Sequence, residues 1–370
     1  MQRNVSKINH LILRSFRCFE SLEYTPGPGL NFLIGENAQG KTSVLEAVCV
    51  LLRLRSPRTA NLAEMVRFGR EGFGLEGLLE GSAENCFDLT GNRDAADRVR
   101  LSLSCIPPVR ALRLDGVAQL SSSEYLSKAR IVWFGIDDLS LVNGTADLRR
   151  KLLDSIGLQK EGNYGRDLKT YDRALRSRNL LLREGRSRRE IEAYNIPLAE
   201  AGERLMAERK NIVSGLAPLA AESCLKISGE DLLISYIPGA ESPLLESLEL
   251  SRNEEIRLRQ TRVGPQRDDV WVKLNGIPAG SFASEGQRRT IALALKIAVS
   301  GLLTRENGIP PVLLLDDIFG ELDRSRRDAL LQGIPEGSQA FLSTTDLSGI
   351  VLPGGSLIHQ MERGNLSQLA

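Results

Sequence analysis

No two cysteines of this 370-residue chain are spaced C-x-x-C: Cys18, Cys49, Cys86, Cys105 and Cys224 are odd in number and far apart. That pattern speaks against a disulfide framework or a thiolate zinc site and leaves scattered reduced thiols as the expectation. No apolar run approaches the roughly 18 residues of a membrane span, and the stretch Thr290 to Leu295 is cut by Lys296. Met1 to Phe16 carries charges throughout and lacks the apolar core of a secretory leader, so a cytoplasmic location is expected. There is no excess of either charge sign either. The formal net charge is +1, so affinity for nucleic acid has to come from local clustering. What remains, 42% hydrophobic and 26% charged residues, is ordinary globular material, long enough for two or three domain-sized units.

Two separated segments carry the chemistry. Gly35-Glu36-Asn37-Ala38-Gln39-Gly40-Lys41-Thr42 fits G-x-x-x-x-G-K-[ST], preceded by an apolar strand, Leu30 to Ile34, and followed by a helical run from Ser43. In that context the backbone N–H groups surround phosphates at a helix N-terminus, Lys41 adds a point charge and Thr42 offers a hydroxyl to Mg²⁺. Far downstream, Pro311 to Leu315 is an unbroken apolar run ending in Asp316 and Asp317. It reads as a central parallel strand, buried on both faces, that delivers acids at its C-terminal end, where α/β sheets place ligands. The fold must bring these segments together around Mg-ATP.

Between them the chain changes character. Ile8 to Phe16 reads as a strand leading to Arg17, and a Pro26-Gly27-Pro28-Gly29 turn precedes the phosphate loop. From Gly72 to Leu120, short alternating stretches and an Asp115-Gly116 turn predict an antiparallel meander. Ile131 to Phe134 is a further short strand. From Arg149 to Arg189 the chain turns basic, with thirteen Lys and Arg against five Asp and Glu. Arg166, Lys169, Arg173, Arg176 and Arg183 recur at helical spacing, opposite an apolar stripe of Leu168, Tyr171, Leu175 and Leu182. The face is either solvated or a phosphate-backbone track. Leu198 to Leu225 continues as helix, in an insertion too short for a long coiled coil. Val270, Val272 and Leu274 then alternate up to an Asn275-Gly276 hairpin turn, and Arg267 and Asp268 read as a structural ion pair. Ser284-Glu285-Gly286-Gln287 follows at the start of another helix, and Gly320-Glu321-Leu322-Asp323 follows the acids.

A phosphate loop far upstream, S-x-G-Q opening a helix, and an apolar strand ending in two acids before G-E-L-D resemble the ABC-type ATPase heads of the SMC and recombination-repair group. Within it the chain is similar to the RecF family, on Ser15-Phe16-Arg17, Gly35 to Glu46, Arg55-Ser56-Pro57-Arg58-Thr59, Asp138 to Gly144 with Arg149-Arg150, Arg178-Asn179 in Tyr171 to Leu182, Gly264 to Asp269, Ser284 to Thr290 and Leu313 to Asp323. The resemblance implies an α/β ABC-type ATPase head, residues 1–145 and 262–370, with a mixed P-loop sheet plus the antiparallel meander, and an inserted helical arm at 146–261. It implies nucleotide binding by residues 35–42 with Ser43 and Arg17, a Mg²⁺ shell of Thr42 and Asp316, and Lys41, Asp316 and Asp317 as catalytic groups. Ser284, Glu285, Gly286 and Gln287 would act on the nucleotide of a second copy, and Asp323 would face the partner. Asp317 stands where transporters usually carry Glu, and the shorter reach suits slow, DNA-dependent hydrolysis. The implied protein dimerises on ATP at gapped or single-strand/double-strand junction DNA and works with RecR and RecO to place RecA in recombinational repair and the SOS response. Arg149 and Arg150 join the five helical cations as DNA-binding candidates in a nucleoid-associated protein.

The chain also departs from neighbouring patterns. Phe341 to Asp346 holds no switch histidine, and neither His10 nor His359 stands in for one; Gly135 to Asp138 occupies the place of a Q-loop glutamine. Both features disfavour a transporter subunit. Gln266 sits where the RecF pattern has His. Two rivals stay open: another SMC-like ATPase, as in phage defence, whose usual appended nuclease or toprim-type domain has little room in the roughly 45 residues after Asp323, and a scaffold that keeps ATP as a structural ligand.

Overall fold

The computed structural model describes residues 5–81, 98–160, 162–241, 243–347 and 350–369; Cys86, Glu161 and the middle of the expected meander lie outside them. The chain divides into two compact units, Met1–Asp138 with Val299–Ala370, and Leu139–Ala298.

The first unit holds two six-stranded sheets. One is antiparallel throughout, in the order β2 (Phe19–Tyr24), β1 (Val5–Phe16), β4 (Phe73–Gly81), β5 (Arg98–Ile106), β6 (Val109–Leu114) and β7 (Val117–Ala118). Alternation explains it: on β5 Val99, Leu101, Leu103 and Cys105 point inward while Arg98, Arg100 and Ser104 face solvent. The other sheet runs β15 (Asn365–Leu369), β14 (Leu357–Glu362), β3 (Leu30–Ile34), β13 (Ala340–Thr344), β12 (Val312–Leu315) and β8 (Ile131–Phe134), parallel except for the β15 edge. All four residues of β12 are buried, as its apolar run requires, although it lies one strand in from the edge and not at the centre. β3 and β13 take the central positions, and residue 34 at the head of the phosphate loop pairs with Thr344.

The helix Lys41–Arg53 is buried around nearly its whole circumference, which is why Val44 to Leu52 has no polar stripe beyond Glu46. Its Leu45, Val48, Leu51 and Leu52 share one core with Leu11, Leu13, Leu75 and Leu103 of the antiparallel sheet and with Leu33, Leu314 and Phe341 of the parallel one. That core fixes the helix whose N-terminus holds the phosphate loop.

The second unit takes in 139–145 and 262–298, which the sequence placed with the head, as well as the span expected for the arm. Its helices Ala146–Gly157, Tyr164–Glu184, Asn195–Ser228 and Leu244–Leu258 are joined by a small antiparallel sheet of β11 (Ile277–Pro278), β10 (Asp269–Leu274) and β9 (Leu232–Ile237). Asn275 and Gly276, at φ 50° and 79°, make the β10–β11 turn, a pair of left-handed residues that Asn-Gly accommodates readily. Two buried charge networks hold this unit. Arg178, 1% exposed, ion-pairs with fully buried Glu255 at 2.7 Å and donates to Thr261 and Asn195. Arg209 bridges Asp154 and Asp268, each at 2.7 Å. Asp268 is therefore paired with Arg209 of the long helix and not with its neighbour Arg267, because its carboxylate points inward to Arg209 and the Gly239 N–H.

Candidate functional site

The phosphate loop is shaped by what surrounds it. Gly35 has φ +152° and a Cβ there would collide with the Met361 carbonyl of β14; Gly40 has φ +113° and a Cβ would meet the Phe19 ring at 2.8 Å. Only glycine fits at either end. Gln39 is tied to the Arg363 backbone N–H at 2.6 Å, so the terminal hairpin braces the loop. Lys41, 3% exposed, donates its ammonium to the carbonyls of Gly35 at 2.6 Å and Glu36 at 2.9 Å, spanning the loop's mouth. Ser43 is buried in the first helical turn, while Glu36, Asn37 and Ala38 lie on the loop's open side, with Ala38 in a left-handed conformation.

The loop and the downstream acids, 274 residues apart, come together: Thr42 Oγ1 donates to Asp316 Oδ1 at 2.8 Å. Ser343 at the end of β13, fully buried, donates to the same oxygen at 2.9 Å. Asp317 follows in a left-handed backbone at φ 51° and gives its N–H to Ser343 Oγ at 2.8 Å. Burial pushes the Asp316 carboxyl above the usual carboxylate range, opposed by the Thr42 and Ser343 hydrogen bonds and reinforced by neighbouring Asp317. Among the described residues no three His, Cys, Asp or Glu groups form a metal cluster. Two hard oxygens, from Thr42 and Asp316, fit a Mg²⁺ ion whose other positions go to phosphates and water.

Arg17 stands differently from the sequence expectation. Its side chain forks onto fully buried Glu46 at 2.8 and 2.6 Å and reaches the Glu64 carbonyl at 2.5 Å, so its guanidinium is occupied within the protein. Ser56 also donates to Glu46 at 2.5 Å, with half-exposed Arg58 3.6 Å from the same carboxylate. Arg58 also draws the Asp316 carboxyl downward, which makes it a cation close to the acids that sequence reasoning left without a role. Ser343 was missed as well. The signal was a hydroxyl at the C-terminal end of a parallel strand beside the acid-bearing one.

Asp323 caps the helix Arg324–Gln332, accepting from the Arg326 N–H at 2.9 Å, and these contacts hold its carboxyl below the usual range. Thr344 turns its hydroxyl to the Asp346 carbonyl at 2.9 Å, and Asp138 accepts from the Gly135 N–H at 3.0 Å.

In the second unit, Ser284 caps the helix Glu285–Asn307. Its Oγ accepts from the Gln287 N–H at 3.3 Å while the Gln287 side-chain carbonyl accepts from the Ser284 N–H at 2.8 Å, a reciprocal cap that leaves the first helical turn oriented and half-exposed. Glu285 pairs with Arg289 one turn on, and the Gly286 carbonyl accepts from Thr290. Gln266, at the position where a His was expected, accepts from the buried Tyr171 hydroxyl and donates to the Val263 carbonyl.

The DNA-binding candidates separate into two groups. Arg166, Lys169, Arg173, Arg176 and Arg183 are all exposed on the helix Tyr164–Glu184, with Tyr171 and Leu182 buried on its other side. Arg149 and Arg150 are not on that face: Arg149 forks onto Asp269 at 2.6 and 3.1 Å, and Arg150 donates to the Asp268 carbonyl at 2.8 Å. Their sequence signal, two adjacent arginines, was the signature of a clasp.

A glycine-framed phosphate loop whose threonine meets an acid on a parallel strand, with a serine-capped S-x-G-Q helix, defines an ABC-type ATPase head of the SMC kind. The Smc head of Pyrococcus furiosus shares the fold, with a TM-score of 0.58 at 15% identity over 98% of this chain and 96% of that one. The AAA domain family matches residues 10–191. The chain is 35% identical over 372 residues to the DNA replication and repair protein RecF of Symbiobacterium thermophilum, covering 96% of each, and 37% identical over 383 residues to RecF of Anaeromyxobacter sp., covering 98% and 99%. Its backbone matches the recombination mediator protein RecF of the RecFOR pathway, solved with ATP, at a TM-score of 0.85 and 28% identity over 100% and 99% of the two chains. This chain belongs to the RecF family of DNA replication and repair proteins. No helix among the described residues is long and apolar enough to cross a membrane.

Proposed function

We propose that the protein is an ATP-driven DNA clamp of recombinational repair: two copies close on ATP at gapped or single-strand/double-strand junction DNA, and slow, DNA-dependent hydrolysis releases them. The 2.8 Å contact of Thr42 with Asp316 carries the reading, because it joins the phosphate loop and the acid strand at one point, where a Mg-nucleotide would sit. The γ-phosphate would rest on the loop N–H groups and Lys41, while Thr42 and Asp316 would hold Mg²⁺, which when bound neutralises phosphate charge. Asp317 would orient the attacking water. Ser284 would supply its hydroxyl, and Glu285 and Gly286 their first-turn N–H groups, at a helix N-terminus suited to the γ-phosphate of a second copy's nucleotide, with the Ser284 and Gln287 N–H groups engaged in the cap. Arg166, Lys169, Arg173, Arg176 and Arg183 would track the DNA backbone. The resemblance of the whole chain to RecF supports RecR and RecO as partners, with RecA loading as the outcome.

Light scattering tests the reading. ATP, unlike ADP, should double the mass, Lys41→Met and Ser284→Arg should each abolish the doubling, and gapped duplex should prolong the dimer. A mass indifferent to ATP would overturn it.

A further inference from the structure

The amide of Gln287 is held from both sides. Its carbonyl accepts from the Ser284 N–H at 2.8 Å, and its Nε2 donates to the carboxylate of Glu230 at 2.7 Å. An amide that is free to rotate by half a turn offers either a donor or an acceptor to each neighbour. Beside a carboxylate only the NH₂ end is tolerated, so Glu230 decides that the carbonyl end faces Ser284. Glu230 is itself fixed. It follows Gly229, which closes the 34-residue helix Asn195–Ser228 at φ 73°, and the Asn275 side chain of the β10–β11 turn lies 3.4 Å from the same carboxylate oxygen. Asn275 in turn exchanges two hydrogen bonds with Asp231, at 2.8 and 3.0 Å.

We infer that Glu230 is a positioning residue for the ATP-dependent reaction: it locks the Gln287 amide so that Ser284 and the first turn of the helix Glu285–Asn307 present their donors to a nucleotide carried by a second copy. The inference rests on the trans role proposed above for Ser284. It adds a residue outside the S-x-G-Q motif, at the end of the helix packed against the basic helix Tyr164–Glu184 through the Arg204–Asp167 ion pair at 2.9 Å. Seating of the long helix and readiness of the motif thus meet in one carboxylate.

The test uses the full chain with ATP and Mg²⁺. Glu230→Ala frees the amide, and the protein concentration for half-dimerisation should rise about 10-fold, the scale of a lost helix cap. Binding of ATP to each chain's own phosphate loop, measured below the dimerisation range, and the melting temperature should stay as they were. Glu230→Gln, whose side-chain carbonyl still accepts from Gln287, should restore most of the dimerisation. Gln287→Glu sets two carboxylates against each other and should dimerise poorly; combining it with Glu230→Gln re-forms the pair with donor and acceptor exchanged and should recover it, which a general loss of folding would not do. Normal dimerisation of Glu230→Ala, with Ser284→Arg still abolishing it, would overturn the inference alone. If Ser284→Arg also dimerises normally, the trans reading falls and this inference with it.

Discussion

Ser343 anchors Asp317 through the backbone: the Asp317 N–H donates to Ser343 Oγ at 2.8 Å, while the hydroxyl's own proton goes to Asp316 Oδ1 at 2.9 Å. Asp317 needs the support because its left-handed backbone at φ 51° is costly for a residue with a Cβ. Ser343→Ala should cost about 1–3 kcal/mol of stability by orphaning a buried N–H. ATP turnover should fall while the KM for ATP changes little, since the phosphate loop is untouched. Urea unfolding and steady-state kinetics would check both halves.

Asp316 is held above the ordinary carboxylate range chiefly by burial. A raised acid favours the protonated fold, so its stabilising share is full below the unfolded value and is lost as pH rises through the folded one. At neutral pH the unliganded site therefore works against folding. Asp316→Asn should melt at or above the temperature of the unsubstituted protein without Mg-ATP, yet lose the further stabilisation that Mg-ATP gives and at least about 100-fold in turnover. Melting below the unsubstituted protein would contradict this.

His359 gives the opposite sign. Its Nε2 is buried without a hydrogen-bond partner and burial lowers its pKa, while Tyr24 stacks edge-on at 4.9 Å. The unfolded chain takes up a proton near the ordinary histidine value and the fold does not, so stability present above about pH 6.5 is lost as pH falls toward the depressed value. Comparing melting temperatures at pH 7.5 and 5.5, the drop should be smaller for His359→Leu than for the unsubstituted protein.

Arg178 is the largest fully buried side chain among the described residues, and its cation is neutralised by Glu255. Arg178→Met alone strands a buried carboxylate and should cost about 3–5 kcal/mol, whereas Arg178→Met with Glu255→Leu should recover most of it. Chemical denaturation of the single and double variants would show whether the coupling is this strong.

The exposed cations give a salt test. Arg173→Ala and Arg176→Ala should each reduce the slope of log affinity against log salt for gapped duplex by about 1, without altering ATP binding. Arg149→Ala should instead destabilise the protein, because its guanidinium clasps Asp269. An unchanged salt slope would move the DNA track elsewhere.

The pieces of the candidate site were legible because they are local. The loop motif, the buried acid strand and the S-x-G-Q cap each announce themselves in a few consecutive residues, and the basic helix shows in its spacing. Pairings across long sequence distances were not legible. Nothing near Arg17 indicates that Glu46 claims its guanidinium, and nothing near Asp268 indicates that its partner is Arg209 and not Arg267. Adjacent arginines at 149 and 150 have one composition whether they clasp a strand or face a polyanion; burial decides, and burial is a property of the fold. The strand order likewise could not be read: β12 looks central by its apolar run, which records cover on both faces and says nothing of how many strands lie beyond.

The phosphate loop owes its shape to late residues. Met361 closes against Gly35, and the Arg363 N–H ties down Gln39. Most of the chain separates the loop from the hairpin that braces it. During synthesis the loop's sequence leaves the ribosome long before its mould exists, so a nascent chain should be blind to ATP until that last hairpin has emerged and docked.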